Sequence, residues 1–236
     1  MEKILSLSLG LASVFFSQII TILYFYFYKQ TSYCKSKRIQ NKIVNYSFTD
    51  ETKKHLTQIE GLVMLGSYLS ITWMYDIMPD SYYLSEGYVN MIHVLQQCLI
   101  VDFFQTVMHV LEHKGFYISR YIYITSHKPH HKFFNPILFN AFDGSIFDTF
   151  VMIIIPLMIT AQMVHCNLWS YIMFGCIYST SLTLIHSEYE HPWDYILEWF
   201  GIGTAKFHNI HHKLQKYNYG HMFIYWDYIM GTYKHN

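Results

Sequence analysis

The sequence predicts an all-α protein, an integral-membrane bundle of about four to five membrane helices with a helical cap at one end. Three observations predict it. The chain is 52% hydrophobic but only 14% charged, against about 25% in soluble domains. It contains several long apolar runs. Its lysines and arginines fall in blocks between those runs.

Residues 4–28, ILSLSLGLASVFFSQIITILYFYFY, carry no charge and exceed the roughly 20 residues that cross a bilayer. The run ends in a Tyr/Phe cluster suited to the interface. It is too long for the apolar core of a cleaved leader, and no small-residue cleavage site follows it. Residues 61–78 form a weaker span between Glu60 and Asp76, closed by Pro79. Residues 88–111 are apolar but contain His93, Gln96, Gln97, Asp102 and Gln105, so this helix is expected to bury a polar face inside the bundle. Residues 146–164 and 167–185 read as a tight helical hairpin, kinked in its first arm by Pro156. The chain divides into residues 1–87, the first membrane helices with a basic loop, and residues 88–236, a catalytic domain.

Fifteen of the sixteen Lys and Arg lie in residues 29–54, 114–132 and 206–234. Four or five crossings would put all three stretches on one face, which the positive-inside rule makes cytosolic. The sequon Asn45-Tyr46-Ser47 lies in that lysine-rich region and is expected to be unused. A formal net charge of zero gives no electrostatic support to a nucleic-acid role. The four cysteines stand apart and form neither a disulfide framework nor a thiolate metal motif.

Fifteen histidines are the outlier in so apolar a chain. Ten of them form four groups: His109 and His113 in HVLEH; His127, His130 and His131 in HKPHH; His186 and His191 in HSEYEH; and His208, His211 and His212 in HNIHH. All four lie on the predicted cytosolic side, a sidedness fixed without reference to histidine. Helical residues three and four apart share a face, so each H-x-x-x-H or H-x-x-H-H group can aim its imidazoles at one point. A catalytic zinc takes about three protein ligands and a structural one about four. This set exceeds one such site and matches two metals. Imidazole suits iron, zinc, copper and nickel. His55, His93, His165, His221 and His235 are expected to be solvated or packed instead of ligating.

With these motifs in this order, the chain resembles the fatty acid hydroxylase superfamily of integral-membrane di-iron enzymes, which includes sterol desaturases and sterol C-4 methyl oxidases. The tail adds Asn218-Tyr219-Gly220, Trp226-Asp227 and Gly231-Thr232 to the likeness. The resemblance implies a bundle capped by a helical domain that holds two iron ions, which zinc can replace on purification. It implies His109, His127, His130, His208 and His211 on one iron, and His113, His131, His186, His212 and one further group on the other. That further group is His191, with Glu190 as the alternative, since Glu190 occupies the position where many relatives carry a histidine.

The resemblance implies an oxygen-dependent oxidoreductase of the endoplasmic reticulum, a monooxygenase or desaturase that hydroxylates, demethylates or desaturates a membrane lipid, with a sterol as the first reading because HSEYEHPW is similar to the third motif of sterol-acting members. A fatty acyl or carotenoid hydroxylase is the alternative, and a non-catalytic zinc-binding membrane protein the third reading. No Gly-rich dinucleotide fingerprint follows a strand, so electrons are expected from a separate donor, in this family usually cytochrome b5 with a reductase. Lysines at 206–216 are either the docking face for such an acidic partner or a solvated surface.

Overall fold

The structure, a computed structural model, describes residues 2–42, 44–58, 60–118 and 120–235. The described residues are helical throughout, joined by turns and two isolated antiparallel bridges, Arg38 with Tyr189 and Ile202 with Phe223. Helix α1 (Glu2–Tyr28) is about 40 Å long at 1.5 Å per residue, enough to cross a bilayer with its ends in the headgroups. Short α2 (Ser32–Ser36) starts where the Thr31 hydroxyl accepts from Cys34 N–H. In α3 (Phe48–Leu56), Ser47 accepts from Asp50 N–H. Asp50 and Glu51 at its start and Lys53 and Lys54 at its end complement the helix dipole.

A π-helical stretch (Glu60–Leu65) leads into α4 (Gly66–Met74). The span expected over 61–78 therefore stops at Met74. Asp76, at φ 54°, takes the left-handed conformation that turns the chain away. Helix α5 (Met91–Ile118) is the central post. Gln97, Asp102, Gln105, Thr106 and His109 are buried on one face, while Ile92, Leu95, Phe103 and Leu111 are exposed on the other. Only an interior lined with partners lets such a polar stripe sit within an apolar helix. Helix α6 (Arg120–Thr125) follows.

The first arm of the expected hairpin runs as α7 (Ile146–Thr149), a π-helical stretch (Phe150–Ile154) and α8 (Ile155–Met163). Pro156, which has no N–H to give, falls where the wider turns revert to α. The second arm is α9 (Leu168–Leu184), started by the Asn167 side chain accepting from Ser170 N–H. The arms are not chiefly packed on each other. Helix α8 lies against α5, and α9 lies against α1 and α5, so α5 stands between them. Helices α10 (Asp194–Trp199), α11 (Ala205–Leu214) and α12 (Tyr225–Met230) build the cap. Three stretches, Lys3–Tyr28, Met91–Lys114 and Ile146–Met163, are long and apolar enough to cross a membrane.

Two apolar cores hold this together. One, around Trp73, Tyr82, Val101, Leu168 and Phe174, joins α4, α5 and α9 and runs up to Ile185 and Met222 beside the histidines. The other, around Phe25, Cys34, Leu138, Phe139 and Tyr189, ties the end of α1 to the loops beside the histidines.

Candidate metal centre

His109 and His113, one turn apart on α5, place their rings 5.1 Å apart. His127 leaves the end of α6, and His130 and His131 follow in a 3-10 turn, with both N–H groups donating to the His127 carbonyl. His127 lies in the turn between these two short helical pieces. His186 emerges just beyond α9, and α11 carries His208, His211 and His212 on its buried side.

These nine rings converge in two groups. His109, His113, His127, His131 and His211 bring one nitrogen each within 4.8 Å of one another, and so do His130, His186, His208 and His212. In the first group Nε2 of His131 lies 3.0 Å from that of His113, 2.9 Å from His127 and 3.1 Å from His211. In the second, Nε2 of His208 lies 3.1 Å from His186 and from His212. The neighbouring residues 130/131 and 211/212 divide between the groups. Beyond that, the partition differs from the one implied by resemblance: His127 joins His113 and His131, and His208 joins His130 and His186. His127 and His131, four residues apart, face the same side, with their Nε2 atoms 2.9 Å apart.

The outer nitrogens explain why the inner ones face each other. His109 Nδ1 donates to Tyr219 O at 2.7 Å, His211 Nδ1 to Tyr217 O at 2.8 Å, and His186 Nδ1 to Leu182 O at 2.7 Å. His130 Nδ1 donates to Asp143 O at 3.2 Å. With the proton held on Nδ1, each Nε2 lone pair points inward. Lone pairs about 3 Å apart repel unless a cation lies among them. With metal–nitrogen bonds of about 2.1 Å, neighbouring corners of an octahedron are about 3.0 Å apart, so the observed spacings fit a metal ion in each group.

His127 has the strongest backing. Asp148 Oδ1 accepts from its Nδ1 at 2.7 Å, and Glu112 Oε2 stands 3.2 Å from the same nitrogen without the angle for a second bond. Burial opposes charge on this ring, but Asp148 and then Glu112 outweigh it and raise its pKa to about 9. The other rings outside the membrane helices go the opposite way. Burial, then the charge of neighbouring imidazoles, holds His131, His186, His208 and His212 well below the ordinary histidine range. Burial likewise lowers His211 to about 3. The centre is thus a set of imidazoles held neutral by burial around His127, the one ring with two carboxylates behind it, and with its proton displaced the whole is a donor set suited to a positive ion.

Glu190 and His191 are not brought to the rings. After His186 the chain is drawn along the loop that follows α1, where Ile39 N–H donates to Glu188 O and Glu190 N–H to Lys37 O. Glu190 pairs with Lys37 at 3.6 Å. His191 sits in an aromatic box: its Nδ1 is 2.9 Å from the Tyr24 hydroxyl, and its ring stacks on Trp193 at 5.5 Å. Burial in this box lowers its pKa to about 4.

Several residues of the centre had no metal-like spacing to show them. Glu112 and Asp148 are lone acids in apolar runs. Asp102 Oδ1 and Oδ2 accept from the backbone of His221, Met222 and Phe223, and Asp227 accepts from Tyr219 and Gly220, each at 2.8 Å. These two carboxylates pin the segment whose carbonyls orient His109 and His211. Gly220 must be glycine there, because a Cβ would come within 2.6 Å of Phe223 O. Asp227 alone had a signal, through the tail motif. His221, expected to be solvated or packed, is packed between the groups, 4.9 Å from the His109 ring and 5.2 Å from His208.

One cavity adjoins the rings, and a second shares part of its wall. A small one of ≈ 40 Å³ is walled by His127, His130, His186, His221 and Asp148. A larger one of ≈ 190 Å³ runs among α1, α4, α8 and α9 with an almost wholly apolar lining. Phe142, Thr149, Ile153 and Leu182 wall both.

The sequence model of the fatty acid hydroxylase family matches residues 94–232. The chain is 46% identical over 235 residues to a Phaeodactylum tricornutum protein named alternative squalene epoxidase, covering 98% of this chain and 67% of that one. It is 29% identical to a cholesterol 25-hydroxylase-like protein of Danio rerio, covering 80% of this chain and 78% of that one. It is 27% identical to methylsterol monooxygenase 1 of Danio rerio, covering 75% of this chain and 57% of that one. No solved structure matches the chain.

Proposed function

The chain belongs to the fatty acid hydroxylase family, and from that premise we propose that it is a membrane di-iron oxidoreductase that epoxidises squalene or a closely similar polyene. The observation that carries the choice of substrate is the 46% identity to the protein named alternative squalene epoxidase, which runs through 98% of the chain and so includes the helices that line the large cavity. An almost wholly apolar cavity that shares four wall residues with the ring-side cavity suits a hydrocarbon.

In this reading His109, His113, His127, His131 and His211 hold one iron and His130, His186, His208 and His212 the other. When bound, the irons supply the reducing and oxygen-binding chemistry that imidazole and carboxylate groups lack. The overall reaction consumes dioxygen, two electrons and two protons. One oxygen atom enters the substrate double bond and the other leaves as water.

The protein's own groups do the positioning. Nδ1 contacts to Tyr217, Tyr219, Leu182, Asp143 and Asp148 lock five of the nine rings. Asp148 and Glu112 offset the positive charge. The apolar wall excludes water from the lipid, and the small cavity has room for a molecule of dioxygen or a few waters. Electrons come from a separate donor, cytochrome b5 with its reductase. In this reading the chain lies in the endoplasmic reticulum membrane with its histidine end toward the cytosol, a sidedness that the lysine and arginine blocks support.

A second reading, hydroxylation of a sterol, is favoured by the likeness to the cholesterol 25-hydroxylase-like protein and to methylsterol monooxygenase 1. One experiment separates the two. The full chain is expressed in cells whose own squalene epoxidase is inhibited, and lipids are extracted under ¹⁸O₂. The expected product is 2,3-epoxysqualene carrying one labelled oxygen. Labelled hydroxysterol without labelled epoxide would replace the first reading with the second.

A further inference from the structure

None of the nine converging rings lines the large cavity; among the described residues its one histidine is His55. The ring-side cavity, by contrast, is walled by His127, His130 and His186. Phe142, Thr149, Ile153 and Leu182 belong to both walls, so they form the partition between the two spaces. A lipid in the large cavity meets the rings only when a side chain of that partition gives way.

Three of the four are held by helices. Thr149 is on α7, where its hydroxyl donates to Ser145 O at 3.2 Å. Ile153 lies in the π-helical stretch that follows, and Leu182, 4% exposed, lies in α9. Side chains packed at the density of a protein interior have little room to turn. Phe142 differs. It is half-buried, it lies in a turn, and it is the aromatic member of the four. Its backbone is tied on both sides. Asn140 Oδ1 accepts from Ile137 N–H at 3.0 Å, and Asn140 O accepts from Asp143 N–H at 3.0 Å. Asp143 pairs with Lys54 at 2.5 Å, and its carbonyl accepts from His130 Nδ1. Moving the whole turn would therefore disturb His130, whereas a change of rotamer at Phe142 would not. The Phe142 ring meets that of His55 at 5.6 Å, on the side of the large cavity.

We propose that Phe142 is the gate between the lipid cavity and the metal centre, and so the residue that decides which double bond of a polyene is oxidised. The proposal rests on the reading of the large cavity as the lipid site. The end of the lipid turns the Phe142 ring aside, and the ring then packs on the chain behind it. With the ring present, the opening admits the terminal branched alkene and little more, so the terminal double bond meets the rings. Without it, more chain slides through, and internal double bonds meet them as well.

Two readouts test this, on the full chain in nanodiscs. The first needs no turnover. A squalene analogue fluorinated at its terminal carbons is bound to protein loaded with Co(II) or with Zn(II), and the difference in ¹⁹F relaxation reports how closely its end approaches the metals. Phe142→Ala is expected to raise that difference several-fold over wild type, with Phe142→Leu between them. The second readout is the position of the epoxide. Wild type is expected to give 2,3-epoxysqualene, and Phe142→Ala to give the 6,7-epoxide in comparable amount. Both metal equivalents retained in a variant report an intact centre, and Phe142→Leu serves if Phe142→Ala loses one. Loss of metal from both variants would make Phe142 a support of the centre and overturn the proposal. A cobalt effect that is present but equal in all three proteins would also overturn it, as would an unchanged epoxide position. No cobalt effect in any of them would overturn the lipid-site reading itself, and the proposal with it.

Discussion

The two ring groups share the motifs HKPHH and HNIHH but are backed differently. In the five-ring group, three Nδ1 atoms have acceptors, and one of these acceptors is the carboxylate of Asp148 with Glu112 beside it. In the four-ring group, His130 and His186 lean on backbone carbonyls, while Nδ1 of His208 and of His212 has no partner. On the proposed reading, five rings with anionic backing against four with neutral backing would differ in affinity within one fold. A metal in the first group would be held by more bonds and by a compensating charge; a metal in the second would leave more of its surface open to small molecules.

The largest expected effect separates the groups outright. His131→Ala and His211→Ala should each abolish product and remove one metal equivalent, as should His208→Ala and His212→Ala from the other group. Elemental analysis alongside product assay checks this, and loss of both equivalents from any one variant would mean that the groups are not independent. Next, Asp148→Asn should weaken metal in the five-ring group by about 10–100-fold while sparing the other, read as two resolved phases in a competition titration with a chelator. In the wild type the same chelator should remove the four-ring metal first.

Acid should act on the metal-free protein. The lowered pKa values mean that the folded chain keeps its rings neutral where the unfolded chain takes up protons. The unfolded state therefore binds more protons below about pH 6.5, and stability falls from there toward the folded values, about 3 for His211 and about 4 for His191. A thermal midpoint lower at pH 5 than at pH 7 is expected, with bound metal blunting the drop. The smallest effect is His191→Ala, which should lower the midpoint by a few degrees and leave both metal equivalents in place.

The histidine motifs were legible because their geometry is local: spacing by three and four puts rings on a common face whatever surrounds them. Which rings face each other was not legible, because it depends on the 3-10 turn at His130–Lys132 and on how α11 meets α5. His191 has the residue type and spacing of a ligand, yet contacts between Lys37, Ile39, Glu188 and Glu190, remote in sequence, carry it into an aromatic box. The polar face of α5 could be read from its own residues, but its partner, the backbone of residues 219–223, lies more than a hundred residues away. Glu112 and Asp148 carried no periodic signal, since one acid behind one histidine needs no repeat.

The segment held by Asp102 and Asp227 also sets a schedule. Tyr217 and Tyr219 supply the carbonyls that orient His211 and His109, and their loop closes only when Asp227 has arrived to receive Tyr219, Gly220 and the Thr232 hydroxyl. During synthesis on the ribosome, His109 is made more than a hundred residues before that lock. The rings of His109 and His211 would then reach their final orientation only after the membrane helices have been made, and on the proposed reading metal would load into the finished bundle.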